Sequence, residues 1–338
     1  MASGSDITAT GMQTMTQVVA STDLVSATDF NNMQENIGRL LGNAQDITLG
    51  SGTSGSTYGW SQGGAGVADA TTGNTITRTG AGGFKDLQDD VQAMCAFLGV
   101  SLRAGVGADV GTTTTISATT WNNTMLNIRD CWNSRFTPSS LTVSTPNNTF
   151  YSSAWGGLVN ENNHGSTAMN PETLTQVTTW SFTSEANCRA FFNMGGRLGV
   201  SASRTGGSST DQNTQWSTKL SNLGDVYINA STAGAGAGSP SGVGFYDLTT
   251  SDQQIVIYYG GANPYSNDYI QVKARVNSTT NPTQVIITTV MRDEDDNNSD
   301  ASVDGTMTIN ARRWYPDANG SGFTPPIATP SMSTITAS

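Results

Sequence analysis

The apolar positions of this chain follow one period in its first part and another in its second. Phe30, Met33, Ile37, Leu40 and Leu41 recur in steps of three and four, as do Phe84, Leu87, Val91, Met94, Cys95 and Leu98. Trp121, Met125, Ile128, Cys131 and Trp132 repeat the pattern. Side chains so spaced share one face of an α-helix, so three helices are predicted between residues 23 and 137. Ser26 three residues before Asp29, and Ser117 three before Thr120, are suited to N-capping. Gly42 and Gly99 follow the first two stripes as left-handed C-caps do, and the third helix is predicted to run to Thr137 and stop at Pro138.

From about residue 138 the apolar positions alternate. Ile270, Val272, Ala274 and Val276 face one way, with Gln271, Lys273 and Arg275 between them. The same two-residue period marks 198–202, 226–228, 255–259, 285–291 and 307–311, separated by turn signals such as Gly206-Gly207, Asn281-Pro282 and Asp304-Gly305. The fold class expected is α+β, mainly β: an N-terminal helical repeat region followed by an antiparallel, jelly-roll-like β-sandwich. The divisions expected are an extended arm over 1–22, a three-helix attachment domain over 23–137, the sandwich over 138–324 and a flexible tail over 325–338. That tail, rich in Pro, Ser and Thr, reads as disordered or as an arm laid across a neighbour. The Gly/Ala/Ser stretch 231–244 reads as a long loop.

The first and third helices open with related phrases. Val25-Ser26-Ala27-Thr28-Asp29-Phe30-Asn31-Asn32 returns as Ile116-Ser117-Ala118-Thr119-Thr120-Trp121-Asn122-Asn123. A supersecondary unit used more than once points to growth by duplication and to an architectural role. The aromatic residues leading the helices, Phe30, Phe84 and Trp121, are candidates for subunit contact. So are Tyr58 and Trp60, in a Gly-rich insert (50–66) that reads either as a long loop or as a contact loop.

Composition narrows the function. Only 12% of the 338 residues are charged, about half the usual share, and Lys85, Lys219 and Lys273 are the only lysines. A net charge of −11 without a basic cluster argues against nucleic-acid binding. No apolar run is long enough for a membrane helix. The N-terminus lacks the basic and apolar regions of a signal peptide, so synthesis in the cytoplasm is expected. Cys95, Cys131 and Cys188 have no metal-binding or disulfide spacing.

Candidate chemistry is sparse. The single histidine, His164, lies near Glu161 in a polar loop that offers nothing to tune either group. Asp293, Asp295 and Asn297 have the alternate-oxygen spacing of a Ca²⁺ loop, but Asn298 stands where such a loop needs Gly. The other reading of this acidic run is a solvated hairpin turn. Glu172 and Glu185 form a conceivable glycosidase pair, and Trp180 and Trp216 are either core or sugar platforms. No catalytic residue, cofactor or metal is expected.

Several phrases resemble virion structural proteins of contractile-tailed marine cyanophages and related marine phages. They are Tyr58-Gly59-Trp60-Ser61-Gln62, Gly73-Asn74-Thr75-Ile76-Thr77, the aromatic-led Phe84 to Asp90 (with Phe84 where the family pattern has Trp), Phe191-Phe192-Asn193-Met194-Gly195-Gly196-Arg197, Ser201 to Gly207, Gln212 to Ser217, Gly242 to Thr250 and Val303-Asp304-Gly305. The resemblance covers about residues 25–310 and implies a non-enzymatic virion component. Its partners would be other virion proteins and further copies of itself, with host surface glycan a further one. A tail-associated or fibre-like appendage is expected, with head decoration as one alternative and a glycan-binding or depolymerase module as another.

Overall fold

The computed structural model describes residues 5–9, 12–19, 25–41, 84–107, 116–134, 141–156, 172–261, 265–294, 302–316 and 326–338. The chain forms two compact units. One comprises Met1–Thr142, Thr183–Gly196 and Tyr315–Ile327, and the other Val143–Phe182, Arg197–Trp314 and Ala328–Ser338. These boundaries depart from the expected single cut at 137/138: a helix from the middle of the chain belongs to the first unit, and the C-terminus belongs to the second.

In the first unit the predicted stripes are helices α1 (Ala27–Leu41), α2 (Phe84–Leu98) and α3 (Ala118–Asn133). Ser26 Oγ accepts from Asp29 N at 2.9 Å, and Ser117 Oγ from Thr120 N at 3.1 Å, closing the first turns of α1 and α3. Gly99 ends α2 at φ 68, where a Cβ would be strained. The third helix ends at Asn133 with Ser134 as C-cap, short of the predicted Thr137. A fourth helix, α4 (Glu185–Asn193), packs on α1 and was not predicted.

Phe30, Phe84 and Trp121 do not face outward. They stack on one another, with ring centroids 6.1 Å apart for Phe30–Trp121 and 5.2 Å for Phe84–Trp121, and all three are buried. Removing that much apolar area from water is the strongest local drive available, so these rings form the unit's core and are withdrawn from subunit contact.

The N-terminal segment is not a free arm. Strands β1 (Asp6–Ile7) and β2 (Met15–Thr16) pair antiparallel, and Ile7, Met12 and Met15 are buried in the helical core. Asparagines hold its backbone. Asn36 accepts from Gln13 N at 2.7 Å and donates to Gln13 O at 2.9 Å, and Asn122 makes the same pair of bonds, both 2.8 Å, with Val18. Within the repeated phrase, Asn32 donates to Thr14 O and its counterpart Asn123 to Ala104 O.

The second unit is built on antiparallel sheets, and the chain as a whole is mostly β. Its strands are β3 (Leu141–Tyr151), β4 (Thr173–Ser181), β5 (Arg197–Thr205), β6 (Asp225–Ile228), β7 (Ala233–Gly234), β8 (Ser239–Pro240), β9 (Gln253–Tyr259), β10 (Tyr269–Val276), β11 (Gln284–Arg292), β12 (Thr306–Pro316), β13 (Thr329–Met332) and β14 (Thr336–Ala337). One sheet runs β13-β4-β11-β10-β9-β8, with β14 also on β4, and the other β3-β12-β5-β6-β7. The sequential strands β9, β10 and β11 are neighbours in one sheet, a meander rather than the sheet-to-sheet alternation of a jelly roll. The short β10–β11 connection makes adjacency the cheapest path.

Each sheet buries one face. In β10 the burial alternates residue by residue, as its sequence does. The stretch 231–244 holds β7 and β8 in place of one uninterrupted loop. An unpredicted helix, α5 (Asp211–Leu223), is capped by Thr210 and packs along β5. The C-terminal residues are strands rather than a flexible tail. Thr329 stands opposite Ser181 and Thr336 opposite Thr175, and Ser338 and Thr173 exchange two backbone hydrogen bonds. Edge pairing uses backbone groups alone, so a segment unable to form a core still docks here.

Candidate functional site

The densest buried chemistry lies in the second unit, where α5 meets the ends of β10 and β11. Gln212, Trp216 and Lys219 are spaced i, i+4, i+7 and so share one face of α5. Tyr269 and Arg292 are partners at the end of the β10–β11 ladder, which puts Asp268 and Asp293 side by side just beyond it. Two acids directly across a ladder repel unless a cation or a proton lies between them. Lys219 is the cation.

Lys219, Asp268 and Asp293 are all fully buried, at 1%, 0% and 0% exposure. Lys219 Nζ donates to the backbone oxygen of Asp268 at 2.9 Å, stands 3.6 Å from its Oδ2 and sits 4.4 Å from the centre of the Trp216 ring. The Glu294 N–H donates to Asp268 Oδ1 at 2.8 Å, while Oδ2 has no hydrogen-bond partner among the described residues. Gln212 Nε2 donates to Asp293 Oδ2 at 2.7 Å. Trp155 meets Trp216 edge-on at 4.8 Å. Next to it, Gly156 has φ 82, and a Cβ there would come within 2.0 Å of Asp293 Oδ2. That glycine is needed both for its backbone angle and for the room it leaves.

Burial moves both titrations toward neutrality. It draws the Lys219 ammonium down to about 8, against the opposing pull of the Asp268 and Asp293 charges. It pushes the Asp268 carboxyl above the usual carboxylate range, with Lys219 pulling the other way.

A second polar cluster fastens the same helix. Asp304 Oδ1 accepts from Arg204 Nη2 at 2.8 Å, Ser208 N at 2.9 Å and Asn213 Nδ2 at 2.7 Å. The Asp304 N–H donates to Asn213 Oδ1 at 3.0 Å. Against the upward push of burial, the Ser208 donors and the Arg204 guanidinium hold the Asp304 carboxyl below its ordinary range. Gly207, at φ 79, closes tightly over it.

The sequence candidates fall differently. Asp293 is buried and turned onto Gln212 instead of into solvent, while Asp295 and Asn297, the other two oxygens of the Ca²⁺ spacing, lie outside the described residues. Among the described residues no group of three or more His, Cys, Asp or Glu is placed to hold a metal. Tyr58, Trp60, Glu161 and His164 also lie outside them. Glu172 and Glu185 belong to different units, each beside an arginine: Glu172 is 3.9 Å from Arg292, and Glu185 accepts from Arg189. Trp180 and Trp216 are fully buried, so neither presents a ring to a sugar. Among the described residues no helix is long and apolar enough to cross a membrane.

Lys219, Asp268 and Gln212 were not singled out from sequence. The signal was the helical spacing of Gln212, Trp216, Lys219 and Leu223, hidden in a segment otherwise rich in Asn, Ser and Thr. Comparison with protein-family models, with curated proteins and with solved structures finds no match.

Proposed function

We propose that this chain is a structural component of a bacteriophage particle, a tail-associated or fibre-like appendage rather than a head decoration. Its helical unit docks on neighbouring subunits, and its β unit, a sandwich of the two antiparallel sheets, faces outward. The class comes from the resemblance to marine phage virion proteins. Three of the phrases that carry it supply Arg204 and Gly207, Asn213, and Asp304, which meet in one joint. Residues spent on fastening a scaffold are what a structural protein needs.

The observation that carries the proposal is strand β3. It is an outer strand of its sheet, eleven residues long and without one charged side chain. Val143 is 46% exposed and Phe150 67%. A chain meant to remain solitary blunts such an edge with lysines or other charges, whereas Pro146 is the only blunting feature here. Among the described residues no strand covers its outer edge; such an edge invites pairing, and a second copy of the chain is the partner that a repetitive particle supplies.

Val143→Lys and Phe150→Glu test this. Each places charge on the edge without disturbing a buried residue. The expected result is a chain that folds as before, by thermal melting, but loses self-association and incorporation into particles. Unchanged incorporation of both variants would contradict the role given to β3.

A further inference from the structure

Two carboxyls and one amine share an interior bounded by Trp155 and Trp216. With all three charged, a net negative charge would remain out of reach of water, the costliest arrangement for buried ions. A proton passing from Nζ to a carboxyl leaves that net charge unchanged but replaces a buried ion pair by two neutral groups, and burial already draws the amine down to about 8 and raises the Asp268 acid. The transfer leaves a neutral amine, a nucleophile, facing a neutral carboxylic acid.

The partners are held in place. Lys219 Nζ is fixed by the Asp268 backbone oxygen and the Trp216 ring. The Asp268 carboxyl is fixed at Oδ1 by the Glu294 N–H, while Oδ2, 3.6 Å from Nζ, makes no hydrogen bond among the described residues. Asp293 adjoins both groups and is anchored by Gln212.

We propose that Lys219 and Asp268 condense into an intramolecular isopeptide cross-link, with the Asp293 carboxyl as its acid–base catalyst. Nζ attacks Cγ of Asp268, and a nitrogen–carbon bond forms. Asp293 accepts a proton from the nitrogen and delivers one to Oδ2. The carbon–Oδ2 bond then breaks with its electron pair, and one water leaves. Amine and acid become amide and water, so no oxidant, metal or nucleotide is required. Holding the two groups together replaces the activation that amide formation otherwise needs, and the tryptophans keep out the water that would reverse it.

The product removes two buried charges and ties α5 to the start of β10 across 49 residues of chain. It adds the kind of restraint that a disulfide gives, but one that reducing conditions do not break. The inference stands apart from the particle reading, since it needs only the folded chain.

The test is the mass of the full-length chain, measured intact after purification and again after proteolysis. The expected intact mass is one water below that of the sequence, with Lys219 and Asp268 recovered in one branched peptide. Lys219→Met and Asp293→Asn are expected to keep full mass, the latter retaining the Gln212 hydrogen bond and so the shape of the site. Asp268→Asn is expected to lose one ammonia instead. A wild-type chain of full mass, with both residues in unlinked peptides after prolonged incubation of the folded protein, would overturn the proposal. An Asp293→Asn chain that cross-links at the wild-type rate would remove Asp293 from the mechanism.

Discussion

Asn36, Asn122 and Asn127 each use both ends of one amide to hold a stretch of backbone, as a strand partner would. Asn127 accepts from Arg103 N and donates to Ser101 O, both at 3.0 Å. These side chains give part-buried loop backbone the partners that it lacks in a sheet, and a backbone group orphaned away from water costs about as much as a lost hydrogen bond. Asn36→Ala therefore strands both backbone groups of Gln13. The expected loss is about 1–3 kcal/mol in thermal or denaturant unfolding. Residues 5–19 should also become open to limited proteolysis in the free chain. Wild-type stability and an uncleaved N-terminus in this variant would show that the asparagine grip is dispensable.

Among the elements, the C-terminal strands have the clearest consequence. With β13 and β14 in place, the Val177 N–H is satisfied by Ser333 Oγ and the Thr173 N–H by Ser338 O. Deleting residues 329–338 bares the β4 edge, and the truncated chain is expected to melt lower and aggregate more readily than the full one. Equal melting and solubility would mean that the edge needs no cover. The elements also show what the sequence makes legible. Strands β5, β6 and β9–β12 were visible because alternation is a side-chain signal and their buried faces are apolar. The tail left no such signal, since its pairing is made by backbone. Helix α5 was hidden because Gln212 and Lys219 occupy core-facing positions where an apolar residue is expected. The acidic run was visible, but its meaning was not: Asp293 reads as solvated until the β10–β11 register places it beside Asp268 and under Lys219.

For the whole molecule, the scarcity of charge takes on a pattern. Of three lysines, Lys219 is buried on two aspartates and Lys85 is spent on Asp89 at 2.7 Å. The long outer strand β3 carries no charge to repel a neighbour. Such a chain is built to be surrounded by protein rather than to stay apart from it, and the particle reading rests on that. The measurement that tests it most directly is a cryo-EM map of the washed phage particle, paired with protein identification by mass spectrometry. The account predicts this chain in many copies at symmetry-related positions on the tail or a projecting appendage, with β3 against an adjoining subunit. Its absence from the washed particle would contradict the account.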